Sequence, residues 1–157
     1  MTHFDLVLRA EKFLQNMNCK VVIRDPFSAA THNGEQPDAI GWRDGLSFLI
    51  ECKASRADFL ADKKKPFRQD ANKGMGDWRF YMSPPEIINP DDLPQGWGLL
   101  WCYPKKIKRV TGFPGNCCYH LDRPFTGNKV CENQMLVSAL RRLAIRGYLP
   151  EIYNGIP

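Results

Sequence analysis

Three charged residues, Asp38, Glu51 and Lys53, have the types and spacing that metal-assisted chemistry requires. They flank the pair Asp44-Gly45, which lies between two strand-like runs. An Asp-Gly pair in this setting favours a two-residue hairpin turn of type I′. Counting back from that turn places Asp38 directly opposite Glu51, and the alternation of side chains along a strand puts Lys53 on the same side. The sequence therefore predicts that two carboxylates and an ammonium group converge at the open end of the hairpin.

Facing carboxylates such as Asp38 and Glu51 repel each other unless a cation neutralises them. Mg²⁺ suits this role because it favours one or two carboxylates together with water and substrate phosphate. Such an ion polarises a phosphodiester and lowers the pKa of a bound water. A neighbouring lysine can position or deprotonate that water, or stabilise developing charge. The same residues are also compatible with an exposed charged pair at a strand end and an aspartate in a turn.

Hydrophobic periodicity and turn residues predict the elements that must position these side chains. A capping box at Ser55 and Asp58 marks the start of the second helix, and Pro66 ends it or begins an irregular segment. An α/β fold follows, with a mixed sheet packed between helices. The predicted helices cover residues 4–17, 56–65 and 132–147. The predicted strands cover residues 20–24, 38–43, 46–53, 78–83, 97–102 and 106–111, with 78–83 half-buried.

The chain of 157 residues has 22 basic and 17 acidic residues, a net charge of +5. Its length fits one domain, and its composition argues against a disordered or fibrous protein. The basic residues form three clusters, which favour a nucleic-acid partner over a set of solvated faces. These clusters are Lys63, Lys64, Lys65 and Arg68; Lys105, Lys106, Lys108 and Arg109; and Arg141, Arg142 and Arg146. Among them, Lys63, Lys64 and Arg68, together with Arg56, are candidate phosphate contacts.

Nothing in the sequence indicates a membrane span or a secretory signal, so we expect an intracellular, cytoplasmic protein without a membrane partner. The six cysteines are accordingly expected to be reduced, without disulfides. A zinc site built from Cys117, Cys118, His120 and Cys131 matches no common ligand spacing. Glu35 could contact a metal ion or the substrate from its loop, but a solvated loop acid is the expectation.

Pro37-Asp38, twelve intervening residues and then Glu51-Cys52-Lys53 resemble the motif of the PD-(D/E)xK nuclease superfamily. The predicted element order over about residues 4–102 also resembles the core of that superfamily, the restriction-endonuclease-like fold. The sequence of residues 34–42 is similar to that of small phage- or prophage-type members. The resemblance implies one nuclease-like domain over residues 1–157, with a C-terminal extension that carries the helix at about 132–147.

The resemblance also implies a role for each matching residue. Asp38, Glu51 and the backbone carbonyl of Cys52 would bind Mg²⁺ or Mn²⁺, and Lys53 would be the catalytic lysine. Members of the superfamily often add a glutamate from the first helix, for which Glu11 is the matching candidate. The implied activity is that of a metal-dependent deoxyribonuclease, an enzyme that hydrolyses phosphodiester bonds in DNA.

Two other functions stay open at this point. One is a non-catalytic nucleic-acid-binding module that keeps the nuclease-like fold. The other is a protein-binding adaptor or inhibitor of a mobile element, with the helix at 132–147 as its docking surface. The sequence does not distinguish endonuclease from exonuclease, DNA from RNA, or a monomer from a possible homodimer. The intact set of Asp38, Glu51 and Lys53 favours the enzyme, because an adaptor has no evident need for it.

Overall fold

A six-stranded mixed sheet forms the centre of the protein, with helices on both of its faces. The computed structural model describes residues 1–115 and 118–155. The strands lie in the sheet in chain order. They are β1 (Val21–Arg24), β2 (Ala39–Arg43), β3 (Leu46–Cys52), β4 (Trp78–Ser83), β5 (Gly98–Cys102) and β6 (Ile107–Thr111). The helices are α1 (His3–Asn16), α2 (Arg56–Asp62), α3 (Pro66–Gln69) and α4 (Lys129–Ile145), with short 3₁₀ turns at Ala71–Lys73, Pro90–Asp92 and Leu149–Tyr153.

The hairpin of β2 and β3 has the predicted turn and register. Asp44 and Gly45 both have positive φ, 50° and 78°, as a type I′ turn requires. Arg43 pairs with Leu46 next to the turn, and Ala39 pairs with Ile50 near the open end. The register therefore brings residues 38 and 51 to the same end of the hairpin.

Strand β4 lies parallel to β3, so the chain crosses over the sheet between them through α2 and α3. The sequence predicted a half-buried β4, but all six of its residues are buried. Trp78, Phe80 and Met82 face the core beneath α1, whereas Tyr81 faces the second core on the opposite side. Apolar and polar residues alternate along β4, which places Arg79 on the face opposite Trp78. Because helices cover both faces of the sheet, Arg79 lies in the interior rather than in solvent.

Helix α2 is shorter than predicted and ends at Asp62 instead of residue 65. The reason is Pro66, because a residue that precedes proline is driven out of the helical region. Lys65 accordingly has extended backbone angles, φ −66° and ψ 140°. Pro66 then begins α3, and Ser55 caps α2 by accepting a hydrogen bond from the Asp58 amide, as predicted.

Helix α4 begins earlier than predicted, because Asn128 caps it by accepting a hydrogen bond from the Cys131 amide. Only its first two turns are buried, through Cys131, Glu132 and Met135. Leu140 and Leu143 of its later turns remain exposed. In the described part of the chain, no helix combines the length and hydrophobicity needed to cross a membrane. Cys19, Cys52, Cys102 and Cys131 are free buried thiols.

Candidate functional site

The charged residues predicted at the open end of the hairpin lie close together. Lys53 Nζ is 3.2 Å from Glu51 Oε2, and Asp38 Oδ2 accepts a hydrogen bond of 2.7 Å from the Cys52 amide. Glu51 and Lys53 are both buried. They lie at the carboxyl end of β3, on the face that α2 and α4 cover. The sequence-derived placement of these three residues therefore agrees with the structure, and the alternative of an exposed surface pair does not.

Lys53 is held between two carboxylates rather than one. Its Nζ lies 3.3 Å from Asp62 Oδ1 at the end of α2, in addition to its contact with Glu51. Burial by itself lowers the pKa of Lys53, but the charges of Glu51 and Asp62, together with that of the nearby Asp38, outweigh burial and raise it. Lys53 is therefore an ammonium ion at neutral pH, which suits it to stabilise negative charge and not to accept a proton.

Arg68 binds three carboxylates at once. Its Nε lies 2.9 Å from Asp62 Oδ2, its Nη2 lies 3.0 Å from Glu51 Oε1, and its Nη1 pairs with Glu35. The side chain is only 1% exposed. The prediction that Arg68 contacts the phosphates of a nucleic acid is therefore corrected, because its guanidinium group is used inside the protein.

Glu35 lies in the interior, which corrects the expectation of a solvated loop acid. Its side chain is 1% exposed, and it accepts a hydrogen bond of 2.7 Å from the Met75 amide in addition to its ion pair with Arg68. Burial raises the pKa of Glu35, and the positive charge of Arg68 opposes that rise. Glu35, Asp38, Glu51, Lys53, Asp62 and Arg68 are hereafter called the carboxyl-end cluster.

Asp38 is the member of this cluster with the weakest compensation. Burial, followed by repulsion from Glu51, raises the pKa of Asp38 to about 8, although the Cys52 amide and Lys53 oppose the shift. His3 of α1 lies within ion-pair distance, with its Nε2 3.4 Å from Asp38 Oδ1. The Asp38 side chain is 16% exposed, so a solvent-borne cation can reach it.

A cleft of about 380 Å³ opens beside the cluster. Cys52, Lys53 and Asp62 line its inner wall, and His3 and Lys65 lie at its rim. Lys65 pairs with Asp62 at 2.9 Å yet remains 47% exposed. Asp58 also lines the cleft, so its wall carries both ammonium and carboxylate groups.

Glu11, the predicted further metal ligand, has another partner. Its Oε2 accepts a hydrogen bond of 2.7 Å from Arg24 Nε. Both side chains are more than a quarter exposed, so Glu11 is not buried in the core beneath α1. Glu11 therefore has a compensating cation without any metal ion.

The other predicted phosphate contacts, in α2 and just after it, differ from one another. Arg56 makes two hydrogen bonds of 2.8 Å to Asp92, and Lys63 Nζ donates to the Asp92 carbonyl at 2.9 Å. Lys64 is exposed. Of these cations, Lys64 is therefore the one oriented to solvent, and Arg56 is half-exposed although paired.

The donor set can be compared with what metal ions require. Within residues 1–115 and 118–155, no three His, Cys, Asp or Glu side chains form a group that could hold a metal ion. This part of the chain therefore has no zinc or calcium site made of protein ligands alone. Cys117, a member of the zinc set considered from the sequence, lies outside the described residues. Asp38 and Glu51 fit Mg²⁺ better, because that ion takes one or two carboxylates and completes its shell with water and phosphate oxygens.

Sequence reasoning missed Asp62 and the internal role of Arg68. One local signal pointed to Asp62. It follows the buried Phe59 by three residues, which places an acidic side chain on the buried face of α2. Arg68 offered no such signal, since two of its three partners, Glu35 and Glu51, come from other elements earlier in the chain.

Comparison with known proteins supports the fold but assigns no activity. No protein-family model matches the chain, and no curated protein matches its sequence. Among solved structures, the chain is similar to the SPO1766 protein of unknown function from Silicibacter pomeroyi, with a TM-score of 0.58 and 25% sequence identity. The match covers 99% of this chain and 97% of that chain. It supports the α/β architecture, including the C-terminal helix.

Proposed function

We propose that the protein is a Mg²⁺-dependent nuclease of PD-(D/E)xK type that hydrolyses phosphodiester bonds in DNA. The observation that carries this proposal is the meeting of Asp38, Glu51 and Lys53 at the open end of the hairpin, beside a cleft that Lys53 and Lys65 line. Such a nuclease would have a restriction-endonuclease-like core, which is consistent with α1, the β1–β3 meander and the parallel pairing of β3 with β4.

Asp38 and Glu51 would hold the metal ion, together with the backbone carbonyl of Cys52. The ion would supply Lewis acidity at the scissile phosphate and lower the pKa of an attacking water. Asp38 fits this role because it is a partly buried carboxylate with a half-exposed histidine as its ion-pair partner. Lys53 would stabilise the negative charge that develops on the phosphate oxygens, since its ammonium group is already fixed in place.

The test is cleavage of DNA by the purified full chain with Mg²⁺ or Mn²⁺, on duplex, nicked, branched and single-stranded substrates. We expect chelator-sensitive cleavage that falls at least about 100-fold in Asp38→Ala and in Lys53→Ala, because each change removes charge at the reacting phosphate. Arg24→Gln is a matched control, since Arg24 pairs with Glu11 outside the cluster. A folded wild type that cuts none of these substrates would refute the enzyme.

A second candidate function is binding of a protein partner through α4. Val137, Leu140 and Ile145 are exposed, and the neighbouring Arg141 and Arg146 are exposed cations. Exposed apolar side chains with cations around them fit an acidic, apolar partner surface. In that case Asp38→Ala would leave partner binding intact and Val137→Glu would remove it. The nuclease proposal instead expects Asp38→Ala to lose DNA cleavage and Val137→Glu to keep it.

A further inference from the structure

Arg68 is the most constrained cation of the carboxyl-end cluster. Its guanidinium carbon lies near two aromatic rings, 4.9 Å from the centre of Phe67 and 4.8 Å from the centre of Trp97. Contacts of this kind fix the plane of an arginine as well as its charge. The three nitrogens of Arg68 therefore point in set directions, one to each of three carboxylates.

Glu51 is the member of this group that the proposed metal site shares. One of its oxygens faces Arg68 Nη2 at 3.0 Å, and the other faces Lys53 Nζ at 3.2 Å. A carboxylate oxygen has two lone pairs, so each oxygen can still accept one more ligand. The two cations thus fix the Glu51 carboxylate without using its full capacity to bind an ion.

Glu35 is not among the residues that line the cleft, but it is a buried acid of the carboxyl-end cluster. Its carboxylate binds Arg68 on one side and the Met75 amide on the other. Burying such a group is costly unless its partners are fixed. With Glu35 present, Arg68 is shared among three acids and cannot form a tight two-point pair with Glu51 alone.

We propose that Arg68 is a positioning residue that orients Glu51 for metal binding, and that Glu35 is the counter-ion that holds Arg68 in this role. The inference rests on the proposed function, because it assumes that Glu51 is a metal ligand. Arg68 and Glu35 act through Glu51 and touch neither metal nor substrate. Residues that orient a metal ligand typically change metal affinity or activity by about 10–100-fold when substituted.

The experiment is titration of the metal-free full chain with Mn²⁺, followed by isothermal calorimetry, for wild type, Arg68→Lys and Glu35→Gln. Lysine keeps the charge but has one nitrogen instead of three. We expect the Mn²⁺ dissociation constant to rise about 10–100-fold in Arg68→Lys and several-fold in Glu35→Gln. If Arg68→Lys does not fold, Glu35→Gln decides the outcome, because it keeps the shape of the side chain.

Arg79→Lys is the matched control. Arg79 is a buried arginine whose hydrogen bonds go to the carbonyls of Gly76, Ala71 and Gly74, not to a carboxylate. We expect this variant to unfold at a lower temperature while its Mn²⁺ constant stays within about twofold of wild type. If Arg68 had a purely structural role, Arg68→Lys would resemble Arg79→Lys, with a lower unfolding temperature and an unchanged Mn²⁺ dissociation constant.

The outcomes separate this inference from the proposed function. If the wild type binds Mn²⁺ and folded Arg68→Lys and Glu35→Gln bind it equally well, the positioning role is refuted and the metal site remains. If the folded wild type binds no Mn²⁺, the metal site itself fails, and the positioning role fails with it.

Discussion

Strand β3 has a buried polar cluster at each of its ends, and the two clusters differ in how well their acids are compensated. At the amino end, Ser47, Asp77, Lys129 and Glu132 form what we call the amino-end cluster. At the carboxyl end lie the six residues of the carboxyl-end cluster. Both involve side chains that point to the same face of β3, and both are covered by other elements.

The acids of the amino-end cluster have a full set of donors. Asp77 accepts hydrogen bonds from the amides of Ser47 and Gly127 and from Lys129, at 2.7–2.9 Å. Burial would raise the pKa of Asp77, but these donors outweigh burial and lower it. The cluster attaches the start of α4 to the sheet, which is a structural role.

The carboxyl-end cluster is less well satisfied. Asp38 has a raised pKa. Among the described residues, Asp62 Oδ1 and Arg68 Nη2 are buried atoms without a well-aligned hydrogen bond, although both have ion-pair partners. Incomplete satisfaction of polar groups is expected where a site must bind something further. The difference is consistent with the proposal that the functional site lies at the carboxyl end of β3, whereas the amino-end cluster attaches α4 to the sheet.

The largest expected effect on stability lies at the amino end. Asp77→Ala removes one of the two carboxylates that pair with Lys129 and leaves two buried amides without their acceptor, so we expect the free energy of unfolding to fall by roughly 3 kcal/mol. Denaturant titration measures this change. Mn²⁺ affinity of the folded variant should match wild type, and a large loss of affinity would contradict the separation of the two ends.

Asp38→Asn should have the opposite effect on stability. The pKa of Asp38 is about 8 in the folded protein and about 4 in the unfolded chain. Between those values the folded state binds the extra proton, so the stability of metal-free wild type falls as pH rises, by up to about 1.4 kcal/mol per pH unit. Asparagine does not titrate, and it can still accept the Cys52 amide hydrogen bond.

We therefore expect metal-free Asp38→Asn to exceed wild type by at least roughly 1 kcal/mol at pH 8 and to lose that advantage near pH 4. Denaturant titrations at both pH values, in the presence of a chelator, measure the difference. The same variant should lose Mn²⁺ binding. Equal stability of variant and wild type at pH 8 would show that Asp38 is already compensated.

Glu11→Gln should have the smallest effect. Its pair with Arg24 is partly exposed, and such pairs contribute about 0–1 kcal/mol. We expect a loss of less than about 0.5 kcal/mol in stability and an unchanged Mn²⁺ dissociation constant. A tenfold weaker Mn²⁺ affinity would instead place Glu11 among the metal ligands, as the family resemblance suggests.

The local part of this site could be predicted from the sequence. Asp44-Gly45 determines the turn, the turn determines the register, and the register places Asp38 opposite Glu51 with Lys53 on the same face. Each step depends on neighbours along one hairpin. The capping of α2 by Ser55 was predictable for the same reason.

The non-local part could not be predicted. Glu35 and Arg68 are 33 residues apart, and they meet because the crossover from β3 to β4 folds α3 back over the sheet. The burial of Arg79 has a similar origin, because covering both faces of β4 hides a side chain that alternation alone would place in solvent. Local periodicity predicts the face of the sheet to which a side chain points, but not which element packs on that face.

The most direct test of the central claim is a crystal structure of the full chain soaked in Mn²⁺, read from its anomalous scattering. We predict one strong peak between the carboxylates of Asp38 and Glu51, with Lys53 Nζ still beside Glu51. A soaked crystal without a peak there, or with these two carboxylates directed away from each other, would contradict the proposed metal site.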